Sequence, residues 1–266
     1  MKVGLFDSGI GGLSVLSKLL RNFPGDRYVY VADTLRAPFG TKPEDVLFGI
    51  MRDIMTFLQA KGVDVIVAAC NTMDSMVKRF GFNFQVPYVG IVDRVAEMAR
   101  GKRIAVMATE ATTRSGIFEE ILNGAQVYQK SAQLLVSAIE SEPGSEKILK
   151  ALVRHYTIPI KRWGPDELVL GCTHFPLVKR HISSLLPRVR IIDPADGIVE
   201  NLRKFRHGRG RGIVEFYVSG NLESFERKVR RFGIHKMAFL TFNKVEFGEG
   251  IGFEEAGGGI GTVWGG

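Results

Sequence analysis

Only two of the 266 residues are cysteine, Cys70 and Cys172. So few thiols rule out a disulfide framework as the source of stability. The candidate metal ligands Cys70, Cys172 and His174 show no compact metal-ligand spacing, so no metal is expected. No apolar run approaches the ~18 residues of a membrane-spanning helix. The opening Met1-Lys2-Val3-Gly4-Leu5-Phe6-Asp7 lacks the long apolar stretch of a signal peptide and reaches an acidic residue at once. The expectation is a cytoplasmic protein without membrane contact. The chain also lacks low-complexity blocks before a glycine-rich tail over 247–266, where little regular structure is expected.

What is present is the composition of a globular protein with a substantial core, 45% hydrophobic and 24% charged. A net charge of +8 suits either a nucleic-acid partner or the attraction of small anionic substrates. Much of the excess lies in two runs, 203–211 and 227–231, which read as a solvated loop and an exposed helix face. No nucleic-acid motif accompanies them, so no nucleic-acid partner is expected.

The apolar pattern alternates between strand and helix. Strands are predicted over 3–6, 27–32, 64–69 and 87–92, with helices over 13–22, 43–61, 73–80 and 93–100. A second run places strands over 103–108, 125–130, 167–170 and 190–192, with helices over 115–122, 146–155, 177–186 and 194–204. Strands at 214–218 and 236–240 flank a helix over 221–231. Continuous apolar strands separated by helices imply parallel sheets covered on both faces. The two runs echo each other: Cys70 lies 68 positions after Lys2, and Cys172 lies 70 after Lys102. The expected fold is α/β, with two similar parallel-sheet domains related by a pseudo-two-fold and the site in the cleft between them. One domain comprises 1–95 plus 207–266 and the other 96–206.

Each cysteine ends an apolar strand and precedes a predicted helix, in Ala69-Cys70-Asn71-Thr72 and Gly171-Cys172-Thr173-His174. Ligands of open α/β sheets bind beyond the carboxyl ends of the strands. A helix N-terminus behind a thiol favours the thiolate, so lowered thiol pKa values are expected. Two acid–base groups on opposite sides of a carbon are what inversion of a Cα centre requires, one to remove a proton and one to return it. Other uses of the same residues stay open at this point. Cys172 and His174 could serve a hydrolytic nucleophile, and two α/β halves could clamp a small ligand without chemistry. A dinucleotide site at Gly9, Gly11 and Gly12 fails, because Ser14 stands where the third glycine is needed and Asp7 would face the pyrophosphate.

The segment Gly4-Leu5-Phe6-Asp7-Ser8-Gly9-Ile10-Gly11-Gly12-Leu13-Ser14-Val15-Leu16 resembles the opening of bacterial glutamate racemases. So do Asp33-Thr34, Pro38-Phe39-Gly40-Thr41-Lys42, Ala69-Cys70-Asn71-Thr72 and Gly171-Cys172-Thr173-His174-Phe175-Pro176-Leu177, in family order. The resemblance runs from residue 2 to about 232. It implies interconversion of L- and D-glutamate without pyridoxal phosphate or metal, supplying D-glutamate for peptidoglycan, in a cytoplasmic homodimer. A relative acting on aspartate is the neighbouring alternative. The resemblance makes Cys70 and Cys172 the acid/base thiols, Asp7 the acidic residue beside the first, and His174 the residue assisting the second, with Glu140 as its acidic partner. It makes Asp7, Ser8, Phe39, Gly40, Asn71, Thr72, Thr112, Thr173 and His174 substrate-binding positions. Four departures stand out. Phe39 replaces a usual Tyr, Met73-Asp74 replace a small pair and bring charge near the first thiol, Ala132-Gln133 replace a usual Cys-Pro, and Asp93-Arg94 replace a usual Glu-Pro.

Overall fold

The computed structural model describes residues 1–141 and 144–247 and the backbone of 253–255. The first run forms β1 (Lys2–Asp7), α1 (Gly12–Asn22), β2 (Arg27–Ala32), α2 (Glu44–Ala60), β3 (Val65–Ala68), α3 (Asn71–Phe80), β4 (Tyr88–Gly90) and α4 (Val95–Met98). The second forms β5 (Arg103–Ala108), α5 (Glu110–Arg114), α6 (Ile117–Ile121), β6 (Gln126–Ser131), α7 (Gln133–Glu140), α8 (Glu146–Trp163), β7 (Glu167–Gly171), α9 (Lys179–Leu185) and β8 (Arg190–Ile192). The chain then returns through α10 (Ala195–Leu202), β9 (Gly212–Val218), α11 (Leu222–Arg231) and β10 (Ala238–Phe247).

Two parallel sheets result. One has the order β10-β9-β2-β1-β3-β4 and the other β6-β5-β7-β8. The order β2-β1-β3-β4 in one repeats as β6-β5-β7-β8 in the other, which is the pseudo-two-fold relation expected from the echo. β9 and β10 extend the first sheet beyond this shared unit. A short β11 (Phe253–Glu255) pairs antiparallel with the end of β10. This piece of the tail is therefore regular, contrary to expectation, because β10 runs on to Phe247 and offers it an open edge. The rest of 248–266 lies outside the described residues.

The period-2 alternation of each strand decides which core its side chains enter. From β1, Val3 and Leu5 join one apolar cluster and Phe6 another. From β5, Ile104, Val106 and Ala108 join the same cluster as Val3 and Leu5, whereas Ala105 and Met107 face a third. The inner faces of the two sheets thus share one core, with Leu13, Leu16 and Leu20 of α1 and Ile198 and Leu202 of α10 within it. α10 packs against α1 and β4. This shared core fixes how the carboxyl ends of the two sheets meet.

Further elements differ from expectation: α5 was not foreseen, and the strand expected over 236–240 runs from Ala238 to Phe247. α7 was not foreseen either, and it carries three residues of the site described below. α8 passes through Pro159 to Trp163 where an end near His155 is expected. Its buried stripe Val153, Tyr156, Thr157 and Ile160 holds the helix past the missing Pro159 N–H. The helix expected from 177 begins instead as a 3-10 turn, Phe175–Val178, with Pro176 in its first turn.

Candidate active site

Cys70 follows β3 and is the N-cap residue of α3. Cys172 directly follows β7 and leads into the 3-10 turn at Phe175. Only the first thiol therefore has an α-helix N-terminus directly behind it. Nor is the Cys70 thiol acidified as expected. Burial pushes its pKa well above the usual value, the Asp7 charge adds to this, and the Met73 backbone N–H opposes it too weakly to win. A helix terminus favours an anion only where enough hydration or countercharge remains. Cys70 is buried beside a carboxylate instead.

Both thiols line one small cavity. The first half of the chain contributes Asp7, Ser8, Phe39, Gly40, Asn71 and Thr72 to it, and the second contributes Thr109, Gln133, Val136, Thr173 and His174. Asp7 ends β1, fully buried, and its Oδ2 accepts a hydrogen bond from the Gly12 N–H at 2.6 Å. Burial raises its pKa against the pull of the His174 charge and that N–H. Asp7 Oδ1 and both polar side-chain atoms of Asn71 have no hydrogen-bond partner. They are available to something placed in the cavity. Thr72 Oγ1 lies 2.9 Å from Thr109 Oγ1 and 3.2 Å from Thr112 Oγ1, and the latter two are 2.9 Å apart. Thr112 is thereby linked to two hydroxyls that line the cavity. Phe39 is buried in the core under α2, with Gly40 beside it in the same 3-10 turn.

A relay stands behind the second thiol. Cys172 Sγ is 3.5 Å from His174 Nδ1, and His174 Nε2 is 2.7 Å from Glu140 Oε1. The Ile10 N–H donates to the same Glu140 oxygen at 3.0 Å. Lys228 Nζ donates to the other carboxylate oxygen at 3.1 Å and to the Glu140 carbonyl at 3.0 Å. Burial disfavours a charged imidazole, but the Cys172 and Glu140 contacts override it and hold the His174 pKa well above its ordinary value. Burial likewise opposes ionisation of Glu140, yet His174, the Ile10 N–H and Lys228 bring its pKa down to about 2. These contacts favour the charged form of the imidazole between the thiol and the carboxylate.

The glycine turn after β1 makes this approach possible. A Cβ on Gly9 would lie 2.3 Å from Glu140 Oε1, and one on Gly11 would lie 2.4 Å from Thr173 Oγ1 and 2.6 Å from His174 Nδ1. The Ser14 hydroxyl donates to the Thr173 carbonyl at 3.1 Å. The glycines seat the second half of the site against the first.

Asp74 faces away from the cavity. Tyr88 OH and the Val92 N–H donate to its two oxygens, both at 2.8 Å. Burial, then the nearby Asp93, raises its pKa to about 6. Its role is to anchor the loop after β4. Four residues of the site lay outside the sequence expectation: Thr109, Gln133, Val136 and Lys228. The internal echo could have found Thr109, which follows β5 as Ser8 follows β1.

The profile of the Asp/Glu/Hydantoin racemase family matches residues 28–202. The chain belongs to that family. A glutamate racemase from Aquifex aeolicus is 35% identical over 237 residues, covering 86% of this chain and 93% of its own length. A crystal structure of a glutamate racemase isoform from Bacillus anthracis superposes with a TM-score of 0.81 at 26% identity, over 86% of this chain and 92% of that one. Thermus thermophilus glutamate racemase, in complex with β-chloro-D-alanine, gives a TM-score of 0.78 at 32% identity over 87% and 93%. Among the described residues of this racemase-family chain, no helix is long and apolar enough to cross a membrane.

Proposed function

We propose that the protein interconverts L- and D-glutamate by cofactor-independent two-base proton transfer at Cα, supplying D-glutamate for peptidoglycan. The observation that carries this reading is one cavity lined by two thiols, each from the carboxyl end of a different parallel sheet, in a chain of this family. In one direction Cys172, beside the His174 cation, removes the Cα proton, and the protonated Cys70 returns one from the other side. In the reverse direction Cys70 is the base, and Asp7 beside it positions the proton. Asn71, Thr72, Thr173 and Ser8 hold the carboxylates. Donors on the α-carboxylate stabilise the charge that develops as the Cα proton leaves. The boundaries 1–95 plus 207–266 and 96–206, a homodimer and a cytoplasmic setting complete this reading.

The test is incubation with L-glutamate, and separately L-aspartate, in D₂O. Glutamate is expected to lose its Cα proton signal in NMR and its optical activity together, with aspartate unchanged. Retention of both by glutamate would overturn the proposal, and exchange of aspartate alone would reassign the substrate.

A further inference from the structure

Gln133 is the first residue of α7, and it is 7% exposed. It lines the cavity, yet neither its Oε1 nor its Nε2 has a hydrogen-bond partner. A buried primary amide left unpaired is costly, and native proteins retain one mainly where something else completes it. Its place in the sheet says what that is. β6 leads into Gln133, β5 into Thr109 and β7 into Cys172, in the lateral order β6-β5-β7. Two strand spacings, roughly 10 Å, separate the strand behind Gln133 from the strand carrying the second thiol. A Cβ on Gly40 would meet Gln133 Oε1 at 2.3 Å and Thr109 Cβ at 2.6 Å. The amide therefore sits in a corner formed with Gly40 and Thr109, to one side of the thiols.

The reacting Cα must lie between the thiols, so the part of the substrate that reaches this corner is its far end. Among the described residues, Gly40, Thr109 and Gln133 form the corner and none is acidic, and an amide N–H there is a neutral donor suited to an anion. We infer that Gln133 is a specificity-determining residue, its Nε2–H donating to the side-chain carboxylate of the substrate. The inference rests on the proposed glutamate racemisation and deepens it.

The experiment compares steady-state racemisation of L- and D-glutamate by the wild type, Q133L and Q133E, with thermal unfolding of each. A donor to the far carboxylate contributes binding rather than chemistry. Q133L is therefore expected to raise KM about 10-fold or more for both isomers, with kcat within about 3-fold. Q133E, which brings a carboxylate to a carboxylate, is expected to raise KM further while remaining folded. KM within about 2-fold of wild type in folded Q133L, or a loss confined to kcat, would overturn the assignment. Should Q133L unfold, Q133E carries the test, and an unchanged KM in that variant is equally contrary. A wild type that leaves glutamate unchanged removes the underlying reading and this inference with it. An active wild type with indifferent variants removes the inference alone.

Discussion

At the scale of single residues, the two thiols are chemically unequal. Burial and a carboxylate neighbour raise the pKa of Cys70, whereas Cys172 lies beside an imidazole whose charged form the Cys172 and Glu140 contacts favour. Replacing Glu140 by Gln removes the charge that sustains the imidazolium. The His174 pKa then falls, so the cation is lost at lower pH than in the wild type. In E140Q, kcat/KM is expected to drop by about 10–100-fold, equally in both directions because the equilibrium constant between enantiomers is one. Its alkaline limb should move to lower pH, as read from the pH–rate profile. An unmoved limb would show that Glu140 does not act through His174. The thiols were legible in the sequence because there are only two and both follow apolar strands. Lys228 was not. It sits in the basic run 227–231, whose periodicity marks an amphipathic helix but not the carboxylate packed against one of its cations. The thiol acidity was misjudged for a related reason: the cap position of Cys70 could be read, but not its burial beside Asp7.

At the scale of elements, the turn Gly9–Gly12 shows how a local pattern gains meaning from a distant partner. Alone it resembles a phosphate-binding loop. In the fold its missing Cβ atoms admit Glu140, Thr173 and His174 from the other half of the chain. A methyl at Gly11 must displace the imidazole or the Thr173 hydroxyl, and overpacking of this kind costs about 1–3 kcal/mol. G11A is expected to lose about 100-fold in kcat, the scale of effect that a displacement near 1 Å produces. A lowered thermal midpoint should accompany that loss, and wild-type turnover in G11A would contradict the close fit. Strand positions were the most readable part of the sequence, since β2, β5 and β8 fall where the apolar runs place them. α7 escaped because its stretch from Gln133 to Glu140 joins a strand with few flanking turn signals. The length of α8 escaped because tertiary packing of Ile160 outweighs the local cost of Pro159.

At the scale of the whole molecule, the repeated strand order and the shared inner core explain why the site is a meeting of two strand ends. β1 and β3 deliver Asp7 and Cys70, while β5 and β7 deliver Thr109 and Cys172. The inner cluster of Leu5, Leu16, Val106 and Ile198 holds those ends in register. The two-domain architecture was readable from the matched spacing of the cysteines. The way the chain returns was less so, because α10 packs on α1 and β4 through contacts that no local pattern encodes. The account stands or falls on the two thiols acting on opposite sides of one carbon. Its most direct test is racemisation by C70S and C172S, each checked for folding, with deuterium incorporation from D₂O followed at Cα of both glutamate enantiomers. Loss of about 100-fold or more in racemisation by each variant alone is the predicted result, since each direction needs both groups. Near-wild-type racemisation by either folded variant would contradict the two-thiol mechanism.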